Sequence, residues 1–284
     1  RDCLLSRGLG DVYKRQVLGA DDFAGVSAIL EGAASLLESG ATHPTLELLF
    51  TTGEEHFCVG AKAFDAERLQ SKTAYVMDLS GPVGDCAVAA PTLITFSAEV
   101  VGKAAHAGFA PEDGVHAIQV AAAAVANLPS GRWGDVTVNV GTITGGRATN
   151  IVPDSCTVTG EIRALCHQDA LDRLNEIHSE FVEQAQAVDA KLNFNHTIHI
   201  TGYRVDTDAP VAQRFRRACE AVGVAPRFTD TYGGSDCNIL SAHGIQGLVV
   251  ATAMNNCHAV NEYTTVEELC KAGRLAQALM EKQD

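Results

Sequence analysis

LITFSAEVV, Leu93–Val101, alternates apolar and polar side chains with period two, the mark of a strand with one face buried and the other wetter. The segments downstream of it decide the fold. Gly114 to Asn127 reads as a long helix, Val136 to Val140 and Cys156 to Ile162 as two more alternating strands, Asp169 to Val188 as a second helix, and Leu192 to Ile200 as a last strand. Strand, helix, two strands, helix and strand place helices on one side of an antiparallel sheet, so residues 91–202 read as an inserted α+β domain.

On both sides of this block the pattern changes to strands alternating with helices, as in a mixed sheet flanked by helices. Upstream, Phe23 to Glu38 reads as a helix stopped by Gly40, Thr45 to Thr51 as a buried strand, Gly60 to Leu69 as a short helix and Thr73 to Met77 as a strand. Downstream of Gly202 come a helix over Pro210 to Val222, a strand near Phe228, a helix after Ser235, a strand over Gly247 to Thr252 and a terminal helix from Thr264. The expected fold is therefore α/β: an outer domain assembled from residues 17–90 and 203–284, interrupted by the α+β insertion. Residues 1–16 (RDCLLSRGLGDVYKRQ) carry neither period nor a secretory leader; they resemble translated adaptor sequence. They are set aside as a non-native scar, and the chain is read as truncated at its N-terminus.

At about 150 residues per domain, 284 residues suit two domains. Hydrophobic residues at 46% and charged residues at 20% exclude a disordered chain, and no run approaches the roughly 18 apolar residues that cross a bilayer. Lys and Arg number 21 against 35 Asp and Glu, a net charge of -14 that opposes phosphate backbones and acidic membranes. Nucleic acid and membrane are thereby excluded as partners. Nine cysteines, with no C-x-x-C pair, argue against a disulfide framework and place the chain in a reducing cytoplasm.

In open α/β sheets, ligands bind beyond the carboxyl ends of the strands. Four such places here carry metal-competent side chains: Asp21 and Asp22 after Val17–Ala20, Glu54 and Glu55 after the Thr45–Gly53 segment, Asp78 at the end of Tyr75–Met77, and His258 after Gly247–Asn256. One acid after a strand is ordinarily a helix cap or a solvated turn residue. Together they point elsewhere, because neighbouring carboxylates repel unless a cation or proton intervenes. An imidazole with three or four carboxylates suits one or two divalent ions such as zinc, cobalt or manganese.

These residues lie in seven ordered motifs: Gly19-Ala20-Asp21-Asp22-Phe23-Ala24-Gly25, Thr52-Gly53-Glu54-Glu55, Met77-Asp78, Gly102-Lys103-Ala104-Ala105-His106-Ala107-Gly108, Thr149-Asn150-Ile151-Val152-Pro153-Asp154, Gly233-Gly234-Ser235-Asp236, and Cys257-His258 through Glu262-Tyr263. Together they resemble the dinuclear zinc exopeptidases related to peptidase T, the tripeptide aminopeptidase. The resemblance implies that Asp21 bridges two metals through a carboxylate followed by a cis peptide, that Glu55 and His258 bind one metal and Asp78 the other, and that Glu54 is the general base acting on metal-activated water. It implies that His106 donates to the oxyanion from a lid, often across a dimer, and that Arg163, at the end of a strand, grips a substrate carboxylate, with a surface ion pair as the alternative. Asn150 is a further substrate-binding candidate, and so are Gly233, Gly234 and Ser235, which can present backbone N–H groups to a peptide terminus or simply make a turn before a helix.

Two features depart from the family or stay open. The remaining ligand of the family, a His in a His-x-Asp motif ahead of Gly19, is missing; His167-Gln168-Asp169 is rejected for that role, with Asp169 read as a helix cap. Glu262, four residues after His258, is a candidate to orient that imidazole, or an exposed acid at a helix start. Cys58 and Cys257 are read as packing residues, not nucleophiles. The resemblance thus implies a zinc-dependent, cytoplasmic peptidase acting on short peptides and dimeric through the insertion. An N-acyl amino acid deacylase or carboxypeptidase uses the same chemistry, and a non-catalytic peptide-binding or dimerisation protein is the reading from another class.

Overall fold

The computed structural model describes residues 17–282; residues 1–16, the segment read as a scar, lie outside them. The chain divides into two compact units. Among the described residues, one takes in 17–89, Arg204–Thr231 and 235–282; the other comprises Ala90–Tyr203 and the short piece Tyr232–Gly234. In chain order the strands are β1 (Thr73–Ser80), β2 (Asp85–Ala90), β3 (Thr92–Val101), β4 (Gly131–Trp133), β5 (Val136–Gly145), β6 (Ser155–Ala164), β7 (Lys191–Ile200), β8 (Tyr203–Arg204), β9 (Arg227–Asp230) and β10 (Gln246–Met254). The helices are α1 (Ala20–Ser39), α2 (Val59–Ala63), α3 (Ala117–Asn127), α4 (His167–Gln186), α5 (Pro210–Ala221), α6 (Asp236–Ala242) and α7 (Val266–Met280).

The first unit holds a mixed sheet of order β1-β10-β2-β8, with β9 also paired to β2. β1 runs parallel to β10, β10 antiparallel to β2, and β2 parallel to β9. β10 is buried from Gly247 to Met254, as befits a central strand covered on both faces. Helix α1 ends at Gly40, whose left-handed φ of 67° lets its N–H reach the Leu37 carbonyl. Near its start α1 comes so close to β1 that a Cβ on Gly25 would lie 2.0 Å from the Met77 carbonyl oxygen. Only glycine lets the helix approach the strand that carries Asp78.

Two sequence readings are corrected in this unit, and one strand was not read at all. The strand expected over Thr45–Thr51 does not form: residues 41–50 carry no regular structure, and Leu48 and Phe50 stay about half exposed. A strand needs a ladder partner, and this segment forms no ladder with the edge strand β1, only sharing a cavity of about 450 Å³ with it. The single helix expected over Gly60–Leu69 is two turns, α2 and a 3-10 turn at Ala66–Arg68. Phe64 is extended there, and the Asp65 carboxylate starts the second turn by accepting from Glu67 N–H. β2 has no counterpart in the sequence reading; DCAVAA is buried along its whole length, so it shows no alternation.

The other unit is a five-stranded sheet of order β4-β5-β6-β3-β7, antiparallel throughout. β3 and β6 pair without a slip over ten residues, from Thr92 opposite Ala164 to Val101 opposite Ser155. One face carries Ile94, Phe96, Val158 and Ile162, which pack with Val120 and Ala121 of α3 and Ile177 and Phe181 of α4 into a single apolar core. The helix α4 begins at His167, with Asp169 inside its first turn and not at the cap position expected of it, and Cys166 as the flanking residue. His167 instead lies with Nδ1 3.1 Å from Thr92 Oγ1.

Candidate metal centre

The first unit brings Asp21, Glu55 and His258 together. Each offers one ligand atom, and the three atoms lie within 4.8 Å of one another. The His258 ring lies between the two acids, with Nε2 3.3 Å from Asp21 Oδ2 and Nδ1 3.2 Å from Glu55 Oε1. His258 and Glu55 are well exposed, whereas the Asp21 side chain is only 17% exposed.

Local backbone positions each group. Asp21 sits at the start of α1 with non-helical angles, and the Asp21–Asp22 peptide is cis. Glu262, only 7% exposed, accepts hydrogen bonds from Gly19 N–H at 2.6 Å and Asp21 N–H at 3.0 Å. Glu262 therefore fixes the backbone of the Asp21 segment; it does not orient His258, the role considered from the sequence. His258 itself is left-handed at φ 64°, as are Phe57 at 60° and Cys58 at 58°, a costly conformation for residues with a Cβ.

Behind the three donors lies a buried layer of acid. Burial, joined by the charges of Asp22, Glu54, Asp21 and Asp236, pushes the Asp78 carboxyl up to about 9. Burial likewise raises Asp22 to about 7, helped by Asp21, Glu54 and Asp236. Glu54 also rises to about 7, first through burial and then through Asp236 and Glu55. Asp78 and Glu54 thus belong to the same charged neighbourhood as the three donors, although neither is one of them.

Two further members of this layer were given no role in the chemistry from sequence. Asp236 opens α6, accepts from the Thr51 hydroxyl through Oδ2, and leaves Oδ1 buried without a partner. The Cys58 thiol donates to Glu54 Oε1 at 3.6 Å. Burial and the Glu54 and Asp236 charges push that thiol far above its ordinary value, so Cys58 is no thiolate nucleophile. Asp236 was visible as the last residue of the Gly233-Gly234-Ser235-Asp236 motif, and Cys58, just after the Thr52-Gly53-Glu54-Glu55 motif, was read as a packing residue.

The donor set fits a divalent cation: one imidazole and two carboxylates converge, and the carboxylates buried behind them raise one another's proton affinity as an uncompensated cluster would. Ser235 is 3% exposed and closes a capping box on α6, its N–H donating to Asn238 Oδ1 and its hydroxyl accepting from Cys237 N–H.

The remaining candidates lie in the other unit. Ala107 N–H donates to the Asn150 carbonyl, and His106 bridges Ile151, so the two motifs around His106 and Asn150 are stitched together by backbone. His106 Nδ1 accepts from Gly108 N–H at 3.1 Å, and its ring lies 4.3 Å from that of Phe109. With Nδ1 accepting, neutral His106 carries its proton on Nε2. Arg163 is engaged by Glu161 at 2.9 Å and by the Tyr232 carbonyl at 2.8 Å. Gly233 and Gly234 follow Tyr232 within this unit.

Residues 88–189 match the model of the peptidase dimerisation domain, and residues 6–90 that of peptidase family M28. Aminopeptidase PepT from Bacillus cereus ATCC 10987 superimposes with a TM-score of 0.89 at 36% identity, over 94% of this chain and 72% of that one. The chain belongs to the peptidase T-like family. A tripeptidase from Staphylococcus aureus has a TM-score of 0.91 at 28% identity, covering 94% of this chain and 72% of its own. Peptidase T of Alkaliphilus oremlandii is 27% identical across 93% of this chain, which spans 65% of that relative's length. Membership makes this peptidase T-like chain a hydrolase of the peptidase class. Among the described residues no helix is long and apolar enough to cross a membrane.

Proposed function

We propose that this peptidase T-like chain hydrolyses amide bonds in short peptides as a metal-dependent aminopeptidase, with zinc, cobalt or manganese as the ion. The observation that carries the proposal is the convergence of Asp21, Glu55 and His258 beside Glu54, a carboxylate with its proton affinity raised toward neutrality. Asp21, Glu55 and His258 hold the first ion, and Asp78 serves a second. Bound there, the cation supplies positive charge that polarises the scissile carbonyl and makes water a competent nucleophile near neutral pH.

The chain's own groups then move the protons. Glu54 takes one from the attacking water at Oε2, the oxygen that Cys58 does not engage, and returns it to the departing nitrogen. A base near 7 suits both transfers. Nε2–H of His106 is the donor proposed for the oxyanion, its tautomer set by Gly108. Asn150, Arg163, Gly233 and Gly234 are the proposed substrate-binding residues, with Ser235 fixing the helix start next to them.

A homodimer through the inserted unit and residence in the cytoplasm complete the proposal. The dimerisation-domain match supports the first, and free cysteines throughout the described residues are consistent with the second. The test is hydrolysis of trialanine, dipeptides and N-acetyl amino acids after chelation and after readdition of zinc. Zinc-restored release of an N-terminal residue from trialanine supports the proposal. Cleavage confined to N-acetyl amino acids, or cleavage untouched by chelation, contradicts it.

A further inference from the structure

Thr231 is the last residue that β9's surroundings hold in the unit that carries the candidate metal centre, its N–H donating to the Ala89 carbonyl at 2.9 Å, and Ser235 is again buried there as the cap of α6. The three residues between them belong to the inserted unit. Tyr232 makes the attachment. Its carbonyl accepts from Arg163 Nη1 at 2.8 Å, its ring lies 3.8 Å from the Arg132 guanidinium carbon, and its hydroxyl donates to Asp135 Oδ1 at 3.3 Å. Arg163 is steadied in turn by Glu161, which accepts from Nε at 2.9 Å and from Nη2 at 3.4 Å.

We infer that Tyr232 is a positioning residue: a clasp that fixes the Gly233–Gly234 backbone to the inserted unit. Arg163 holds the clasp by donating to the Tyr232 carbonyl. Glu161 engages Nε and Nη2 of the Arg163 guanidinium and the Tyr232 carbonyl takes an Nη1 N–H, which fixes the guanidinium plane and leaves one N–H on each of Nη1 and Nη2 for a substrate carboxylate. Two glycines have no side chains of their own to hold a conformation, and an anchor on the preceding residue supplies the order that a backbone recognition element requires. This inference rests on the proposal that Gly233 and Gly234 meet the peptide terminus.

The test is Tyr232→Ala in the zinc-loaded protein, with Tyr232→Phe and Arg132→Met beside it. Losing the ring contact and the hydroxyl bond together should raise KM for trialanine about ten-fold with kcat changed less than about two-fold. Amide exchange at Gly233 and Gly234 should quicken while zinc content and melting temperature hold. Tyr232→Phe keeps the ring over Arg132 and should recover most of the loss; Arg132→Met should fall between. Unchanged exchange in Tyr232→Ala, or a fall in kcat at constant KM, overturns the clasp. If the parent protein cleaves no peptide, the proposed reaction fails and exchange alone decides: faster exchange upholds the anchor, unchanged exchange removes it.

Discussion

The inserted unit and the unit that carries the candidate metal centre solve opposite problems. In the first, five strands pair in unbroken antiparallel order and Phe96, Ile162, Ile177 and Phe181 close an apolar core. In the second, Asp22, Glu54, Asp78 and Asp236 are drawn into one neighbourhood, where each raises its neighbours' cost of ionisation. Hydrophobic burial organises the one without help from any ligand. The other gathers repelling charge, which persists only where function requires it and a cation or protons compensate.

The sharpest break between the two should come from Glu54. Glu54→Gln keeps the shape of the side chain and removes its basicity, so peptide hydrolysis should fall by about 10²–10⁴ while zinc per subunit, measured by atomic absorption, stays the same. Normal turnover in that variant would remove Glu54 from the chemistry. A complementary change in the inserted unit, Phe181→Ala, should cost about 3–5 kcal/mol by urea denaturation. Zinc bound per folded chain should be untouched. If Phe181→Ala abolished zinc binding in a chain that remained folded, the division of labour between the units would be wrong.

A smaller effect lies in pH. Asp22, Glu54 and Asp78 hold their protons more tightly in the folded chain than their ordinary values of 3.8 and 4.5 allow. The unfolded chain therefore releases protons first as pH rises. The stability these three carboxyls contribute is fullest below about 4 and is lost as pH climbs through about 7 and on toward about 9. Metal-free protein should melt a few degrees lower at pH 8 than at pH 5, on the scale of about 2–4 °C per kcal/mol for chains of this size. Zinc should narrow that gap by favouring the ionised carboxylates. A melting temperature that rises with pH in the metal-free chain would contradict the reading of the acidic layer.

The same contrast explains what could be read from residues alone. Period-two alternation over Leu93–Val101 is a direct consequence of one buried face, so four strands of the inserted sheet were legible, while β4, three exposed residues long, shows no period to read. In the other unit β2, buried on both faces, has no period to read. Thr45–Thr51 has strand-like composition, yet composition does not supply a ladder partner. Among site residues, Asp21, Glu55 and His258 stood out because they follow strand-like segments. Asp236, the part played by Glu262 and the clasp at Tyr232 did not, because they depend on partners far away along the chain: Thr51, Gly19 and Arg163. Hydrogen bonds of that reach leave no local pattern.

The central claim is that one cation joins Asp21, Glu55 and His258. Crystals soaked in zinc and measured on both sides of the zinc absorption edge test it most directly. The predicted result is an anomalous peak about 2.0–2.2 Å from a carboxylate oxygen of Asp21, one of Glu55 and a ring nitrogen of His258. A peak elsewhere on the molecule, or none at full soaking, would contradict it.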